Sequence, residues 1–350
     1  MAYAIDDLPL ERFLAPAAGA TAALARLDER LARSPIGEGV IARIHMQDAI
    51  ASLWLDGELV HMEDLVLHDA HMDNRAPSHA LTIAHSALRL RRQIAGRAPG
   101  WALGPAGLRQ VLGRNFSPAL EPAAAPAGDG PDPLLADVDA LLARTDALLR
   151  GAAAPERPVR DALIHDEDWD EEARLEEWRA CLDAAAALPP VLRAAAAHDA
   201  WFTLEVTQRS AWVGRLLAAA SLRQSGLAAH HLPGLSVGLR ERRPDERRSP
   251  DRIVRLKSFL AGVEAAAEAG MKEHDRLMLA REQMLRRLKG RRSSSRLPQL
   301  AEMALRSPLI SGQMVEKELR VTQQGALKLI AELGLREITG RGRFRAWGLL

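Results

Sequence analysis

Ser311-Gly-Gln-Met-Val-Glu-Lys-Glu-Leu319, the break Arg320-Val321, and Thr322-Gln-Gln-Gly-Ala-Leu-Lys-Leu-Ile-Ala-Glu-Leu333 closed by Gly334 read as two short helices joined by a tight turn. Ser311 and Thr322 are residue types whose side-chain oxygen caps a helix N-terminus, and Gly334 stands where a left-handed C-terminal cap is needed. Val315, Leu319, Ala326, Leu329, Ile330 and Leu333 recur at intervals of three and four, so they are expected to form a small core between the helices. Downstream, Leu335-Arg-Glu-Ile338 and Phe344-Arg-Ala-Trp347 flank the glycine- and arginine-rich Thr339-Gly-Arg-Gly-Arg343, a hairpin pattern. Two helices and a hairpin in this order make Ser307–Leu350 a winged helix-turn-helix.

Such a unit implies duplex DNA as partner. Thr322, Gln323, Gln324 and Lys328 lie at the start and on the open face of the second helix. Glutamine there can pair with adenine, and lysine can reach guanine or phosphate. Arg341, Arg343 and Arg345 in the hairpin suit phosphate or minor-groove contact. Some units of this type serve only in protein contacts, and charge bears on that choice. The 350 residues hold 47 Lys and Arg against 46 Asp and Glu, a net charge of +1. From Leu285 to Leu350, however, 14 basic residues face 5 acidic ones, leaving 33 against 41 for residues 1–284. A basic end on an acidic body is the electrostatic footprint of a DNA-binding module. The run Arg286 to Arg296 reads equally as a phosphate-contacting linker or as a solvated helix end with a Ser-rich joint.

Aromatic residues make up only 4% of the chain, and alanine and leucine abound, so the expected fold class is mostly α. Cys181 is the single cysteine, which excludes an internal disulfide and fits a reducing compartment. No leader-like or membrane-length apolar run is visible, so a soluble, cytoplasmic protein without a membrane partner is expected. The chain divides by pattern into an N-terminal helical region (1–118), a Pro/Ala/Gly-rich linker (119–133), a helical core (134–290) and the helix-turn-helix unit (297–350). Helices are expected over Ala20–Leu31, Ile36–Leu53, Ser78–Ile94 with exposed Arg89, Arg91 and Arg92, Pro133–Arg150, Asp170–Ala187, Pro190–Ala200, Trp201–Gln224 and Pro250–Lys289.

Several segments of the core, in order, resemble the Fic family, helical enzymes that typically transfer AMP from ATP to a protein hydroxyl. They are Leu188–Ala200, Val213–Leu217, Ser225–Leu227, Leu235–Ser236 and Phe259–Val263, followed by the helix-turn-helix ending in Gly334–Arg343. The family's signature is His-Pro-Phe-x-Asp/Glu-Gly-Asn-Gly-Arg-x-x-Arg, with a histidine base, an acid that holds Mg²⁺ and a glycine turn that cradles phosphates. Laid on Leu204–Arg215, it meets Leu204 for the histidine, Gln208 for the acid, Arg209-Ser210-Ala211 for the turn and Trp212 for the first arginine. Only Arg215 keeps its identity. Leucine cannot take a proton and an amide is a poor ligand for a hard cation, so the resemblance implies an inactive core. Ser52-Leu-Trp-Leu-Asp56-Gly57 is similar to the family's inhibitory motif, which implies an Asp56–Arg215 contact; Asp56-Gly57 equally reads as a plain helix end. The combination also resembles an uncharacterised helix-turn-helix family common in alphaproteobacteria.

His61, His68 and His71 with Asp64, Asp69 and Asp73 are the densest set of possible metal ligands, but solvated histidines on a bundle rim are the better account. Asp166, Asp168 and Asp170 with Glu177 imitate a calcium loop, yet Glu171 stands where glycine is required. No P-loop or dinucleotide fingerprint is present, and no cofactor or metal is expected. The reading is a sequence-specific DNA-binding protein, a transcriptional regulator, whose Fic-like body sets an oligomeric state or senses a ligand. The alternatives are a diverged nucleotidyl transferase using Glu205 and Arg209, and an antitoxin-like partner-binding scaffold.

Overall fold

Alternating three- and four-residue spacing places Ala17, Ala20, Leu24, Leu27 and Leu31 on one stripe, and helix α1 (Leu14–Arg33) buries that stripe. The computed structural model describes residues 3, 5, 7–72, 76–113, 169–208, 210–289, 295–339 and 345–349. It forms two units: residues 1–114 with 172–350, and residues 115–171, of which only 169–171 are described. The expected linker and the helix over Pro133–Arg150 therefore lie outside the described residues, as do Asp73, Asp166, Asp168, Arg209, Arg341 and Arg343.

After α1 come α2 (Gly37–Leu55), α3 (Met62–Asp69), α4 (His79–Gly96), α5 (Pro105–Val111), α6 (Glu171–Ala184), α7 (Pro190–Thr203) and α8 (Trp212–Gln224). The short α9 (Leu235–Arg240) and α10 (Pro244–Arg247) follow, then the 37-residue α11 (Arg252–Leu288). At about 1.5 Å per residue α11 spans ~55 Å, and α1, α2, α7, α9 and α10 all pack against it. Its buried positions, from Leu256 through Phe259, Val263, Gly270, Leu277 and Met284, run its whole length. Ser78 caps α4 by accepting the Leu81 N–H at 3.2 Å, and Asp251 caps α11 by accepting the Ile253 N–H at 2.8 Å. The alanine run Ala194–Ala197 is buried, and small side chains there let α7 lie close to its neighbours. Trp201 on α7 meets Trp178 of α6 edge to face at 5.0 Å, and the Trp178 indole N–H donates to the Ala197 carbonyl at 2.8 Å.

Two expectations fail here. The helix expected over Trp201–Gln224 is broken: α7 stops at Thr203, Glu205 turns into the left-handed region at φ 45°, and α8 starts only at Trp212. Trp201 and Trp212 are both buried, and the break between them gives the second helix its own direction. Arg91, expected to be exposed, is 2% exposed. It stands three residues after Leu88 and three before Ile94, on the buried stripe of α4. Its Nη1 lies 2.5 Å from an Asp48 oxygen, and its Nη2 donates to the carbonyls of Leu232 and Pro233 at 2.9 and 3.1 Å. The other Asp48 oxygen accepts the N–H groups of Ser236 and Val237 at 2.6 and 3.3 Å. One charge pair therefore fixes α4, α2 and the start of α9 together.

A second carboxylate works the same way. Asp28 of α1 accepts the N–H groups of Ala229 and His230 at 3.0 Å each, and meets Nδ1 of His230 and His231 at 2.9 and 2.7 Å. Burial pushes its carboxyl up, but the hydrogen bonds from His231 and His230 outweigh burial and bring it down to about 2.

The C-terminal part runs α12 (Leu297–Arg306), β1 (Leu309–Ser311), α13 (Gly312–Leu319), α14 (Gln323–Leu333), β2 (Arg336–Glu337) and β3 (Ala346–Gly348). The strands form an antiparallel sheet in the order β1-β3-β2, with Trp347 opposite both Ile310 and Glu337. This is the element order of a winged helix-turn-helix, so the mostly α bundle with a C-terminal helix-turn-helix stands as expected. Strand β1 went unseen in the sequence because three residues carry no measurable alternation. Among the described residues no helix is long and apolar enough to cross a membrane.

Candidate nucleic-acid interface

Local capping defines both helices of the motif. Ser311 Oγ accepts the Met314 N–H at 3.1 Å, while Met314 Sδ accepts the Ser311 N–H at 3.4 Å, a reciprocal N-terminal box. Arg320 takes the left-handed conformation at φ 52°, which ends α13 and turns the chain. Thr322 Oγ1 accepts the Gly325 N–H at 3.2 Å and starts α14. Gly334, at φ 71°, ends it with its N–H directed to the carbonyls of Ile330 and Ala331.

Between the helices Val315, Leu319, Ala326, Ile330 and Leu333 are buried, with Leu329 partly so, and they pack with Leu300 of α12 and Met284 of α11. The opposite face of α14 carries Gln323, Gln324, Leu327 and Lys328, all exposed, with exposed Thr322 just ahead of them. Leu327 was missed by sequence reading. Its signal was available, because it occupies the same face as Gln323 and Gln324, where an apolar group suits a thymine methyl. Exposed Arg320 in the turn was also overlooked, since the break between helices hides which residue adopts the left-handed conformation.

Arg345 is not a loose cation. Its Nε donates to a Glu337 oxygen at 2.8 Å, its Nη2 reaches the same oxygen, and its guanidinium lies 5.2 Å from the Trp347 ring centroid. That hydrogen bond pushes the half-buried Glu337 carboxyl down and the Arg345 guanidinium up. Arg341 and Arg343 lie outside the described residues.

Arg43 of α2 fixes how the helix-turn-helix sits on the body. This side chain is 1% exposed and donates to the carbonyls of Ala304, Leu305 and Ser307 at 2.9, 2.6 and 2.6 Å, the unpaired acceptors at the end of α12. Glu273 of α11 lies 3.3 Å from its Nε. Burial pushes the Arg43 guanidinium down to about 10, against the pull of Glu273. Gly39, one turn earlier, lets α2 approach so closely that any Cβ there would collide with the Leu305 carbonyl. On α11, Arg276 donates to the Leu349 carbonyl at 2.6 Å and Arg287 to that of Leu333. Arg287 thus holds the C-terminal end of α14, while Gln323 and Leu327 of its exposed face line a small pocket with Leu67 and Met72 of the body.

The residues compared above with the Fic signature lie elsewhere, and of them Gln208 and Arg215 line a cavity of about 560 Å³. Leu204 is buried at the end of α7, and its carbonyl accepts from Arg174 at 2.6 Å. Gln208 lines the cavity, Ser210 is half-buried nearby, and Trp212 is buried at the start of α8. Arg215 donates to Asp56 Oδ1 and to the Ser52 carbonyl, each at 2.8 Å, while Gly57 follows at φ 93°. The structure thus brings Ser52, Asp56 and Arg215 together. His68 meets His85 edge to face at 4.6 Å, and Asp69 pairs with Arg92 and His85. No cluster of three or more metal-ligating side chains occurs among the described residues.

Comparison with known proteins assigns two segments. Residues 297–350 match a family described as "HTH DNA binding domain". Residues 163–289 match one described as "Protein of unknown function (DUF1612)", and neither description is of the Fic type. The chain is also similar over its full length to "Uncharacterized protein y4cF" of Sinorhizobium fredii, at 48% identity covering all of both chains.

Proposed function

The chain belongs to the family of the Sinorhizobium fredii protein y4cF, and from that footing we propose that it is a sequence-specific DNA-binding protein, a transcriptional regulator. The observation that carries the reading is the face of α14: Gln323, Gln324, Leu327 and Lys328 stand exposed on a helix whose other side is buried and anchored. Such a helix enters the major groove with its N-terminal residues against base edges. Gln323 and Gln324 offer amide pairs for adenine, Leu327 a thymine-methyl contact, and Lys328 a guanine or phosphate contact. Arg320, Arg341 and Arg343 position the duplex through phosphates, and Arg345 joins them from its pairing with Glu337.

The body, residues 1–118 with 134–290, serves in this reading as the platform for the reader at 297–350. Its Fic-like character is part of the proposal and rests on the order of the resembling segments and on the Asp56–Arg215 contact. A buried leucine at the base position supports a platform without transferase chemistry. Incubation with labelled ATP and Mg²⁺ is expected to leave protein unlabelled; labelling that vanishes in Arg215→Ala would restore the transferase.

The test of DNA binding is selection from random duplexes by the full chain, followed by binding at several salt concentrations. A selected site and an affinity that falls steeply with salt are expected. Failure to enrich any sequence, together with stoichiometric co-purification of another protein, would replace the regulator with a partner-binding scaffold.

A further inference from the structure

The cavity of about 560 Å³ between α7, α8, α10 and α11 is not used by the proposed DNA reading. Its volume falls within the range of small-molecule sites. Its charges do not balance locally. Arg255 takes up Asp199, with Nε at 2.6 Å and Nη2 at 3.1 Å from its two oxygens, and Arg215 takes up Asp56. Arg247 and Arg248 then remain on the wall with no carboxylate partner among the described residues; Arg247 is half-buried and its Nε donates only to the Arg242 carbonyl.

These guanidiniums sense each other. Burial pushes Arg247 down, and the charges of Arg248 and Arg215 push it further the same way. An anion between them would relieve that repulsion.

The same cavity has an aromatic wall of mutually tilted rings. His198 sits 4.7 Å from the Phe202 ring and 4.8 Å from the Phe259 ring, and the Arg215 guanidinium lies 5.9 Å from the Phe202 centroid. Burial, then the nearby Arg215 charge, pushes His198 down to about 3, so it is a neutral ring at any physiological pH. One polar atom on this wall is unexplained. Ser258 is 4% exposed, lines the cavity, and its hydroxyl has no hydrogen-bond partner among the described residues. A buried hydroxyl left without a partner costs free energy, which a bound polar group would recover.

We propose that this cavity binds a small organic anion, its acidic group facing Arg215, Arg247 and Arg248, its flat apolar body against Phe202 and Phe259, and a polar substituent meeting Ser258. The acid is a carboxylate or a phosphate monoester, which guanidinium groups recognise alike. The binding stands on this cavity alone and needs no duplex, so it is measured separately from DNA recognition.

The experiment is calorimetric titration of the full chain with 2-naphthoate and with phenyl phosphate, alongside inorganic phosphate and the neutral 2-naphthalenemethanol. At least one organic anion is expected to bind at one site per chain, roughly 10-fold or more tighter than the neutral alcohol and than inorganic phosphate. Saturation by 2-naphthoate alone assigns a carboxylate ligand, and by phenyl phosphate alone a phosphate ester. Arg248→Ala, at an exposed position, is expected to leave the melting temperature unchanged and weaken binding about fivefold or more. Ser258→Ala is expected to preserve the charge preference while weakening the tighter anion by a smaller factor. Equal binding of the neutral alcohol, no saturation by either anion at millimolar concentration, or full affinity in Arg248→Ala overturns the proposal.

Discussion

The helical body and the helix-turn-helix use charged side chains in opposite ways. In the body, Asp48 with Arg91, Asp28 with His231 and Asp199 with Arg255 hold carboxylates that are 4–7% exposed, each accepting from amides, imidazoles, guanidiniums or a tyrosine hydroxyl of other segments. On α14, Gln323, Gln324 and Lys328 are exposed to solvent. The first set is structural, because a buried charge without its partner is costly. The second set is available for a partner, because removing it costs the fold little. Arg43 joins the two regions: it belongs to the body by sequence, but its hydrogen bonds satisfy the end of α12 in the helix-turn-helix.

This contrast breaks most readily at Asp48. Asp48→Ala strands a buried Arg91 and two amides, and is expected to lower stability by about 3–5 kcal/mol in chemical denaturation. Asp48→Asn, which keeps an acceptor for the Ser236 N–H, should lose less. A stability change within about 0.5 kcal/mol for Asp48→Ala would place it with ordinary surface residues.

Arg43→Met comes next, at about 3 kcal/mol, since three carbonyls at the end of α12 lose a charged donor. Its distinctive signature is loss of coincidence. Amide exchange across α13 and α14 is expected to speed up before that in α2 and α4. Uniform acceleration over both regions would mean that Arg43 stabilises the whole rather than the junction.

On the reading face the expected effects are smaller and spare the fold. Gln324→Ala should cost about 1–3 kcal/mol of discrimination at one base pair of the selected site, with an unchanged melting temperature. Lys328→Ala should lower affinity nearly uniformly across sequences and reduce the salt slope by about 1.

Smallest in the neutral range is the effect of pH through Asp28. Its folded pKa, about 2, lies below its ordinary value of 3.8. The stability it contributes is therefore fully present above about pH 4 and is lost as pH falls towards 2. Denaturation midpoints at pH 5, 4, 3 and 2 should fall in the native chain, and fall less steeply in Asp28→Asn.

Much of the architecture was legible because periodic apolar spacing is what makes a helix bury a face. Both helices of the reading motif, their Ser311 and Thr322 caps and the Gly334 stop follow from residue type and local geometry alone. What escaped depends on tertiary partners. Arg91 looked like a surface arginine because its type outweighed its position between Leu88 and Ile94. The break at Glu205 has no proline or glycine to announce it. The cavity at Arg215 was readable only as scattered residues, since Arg247, Arg248 and Ser258 reach it from segments far along the chain. Arg43 carried no signal, for its acceptors belong to residues more than 260 positions away.

We propose that DNA sequence is read by the exposed face of α14 while the body holds that helix in place. The most direct test is the ratio of affinities for a selected duplex and a scrambled one, measured by fluorescence anisotropy at fixed salt with the full chain and with Gln323→Ala/Gln324→Ala/Lys328→Ala. The triple variant is expected to keep its fold and its melting temperature while the ratio collapses towards one. A folded triple variant that retains the full ratio would contradict it and move sequence recognition to another surface.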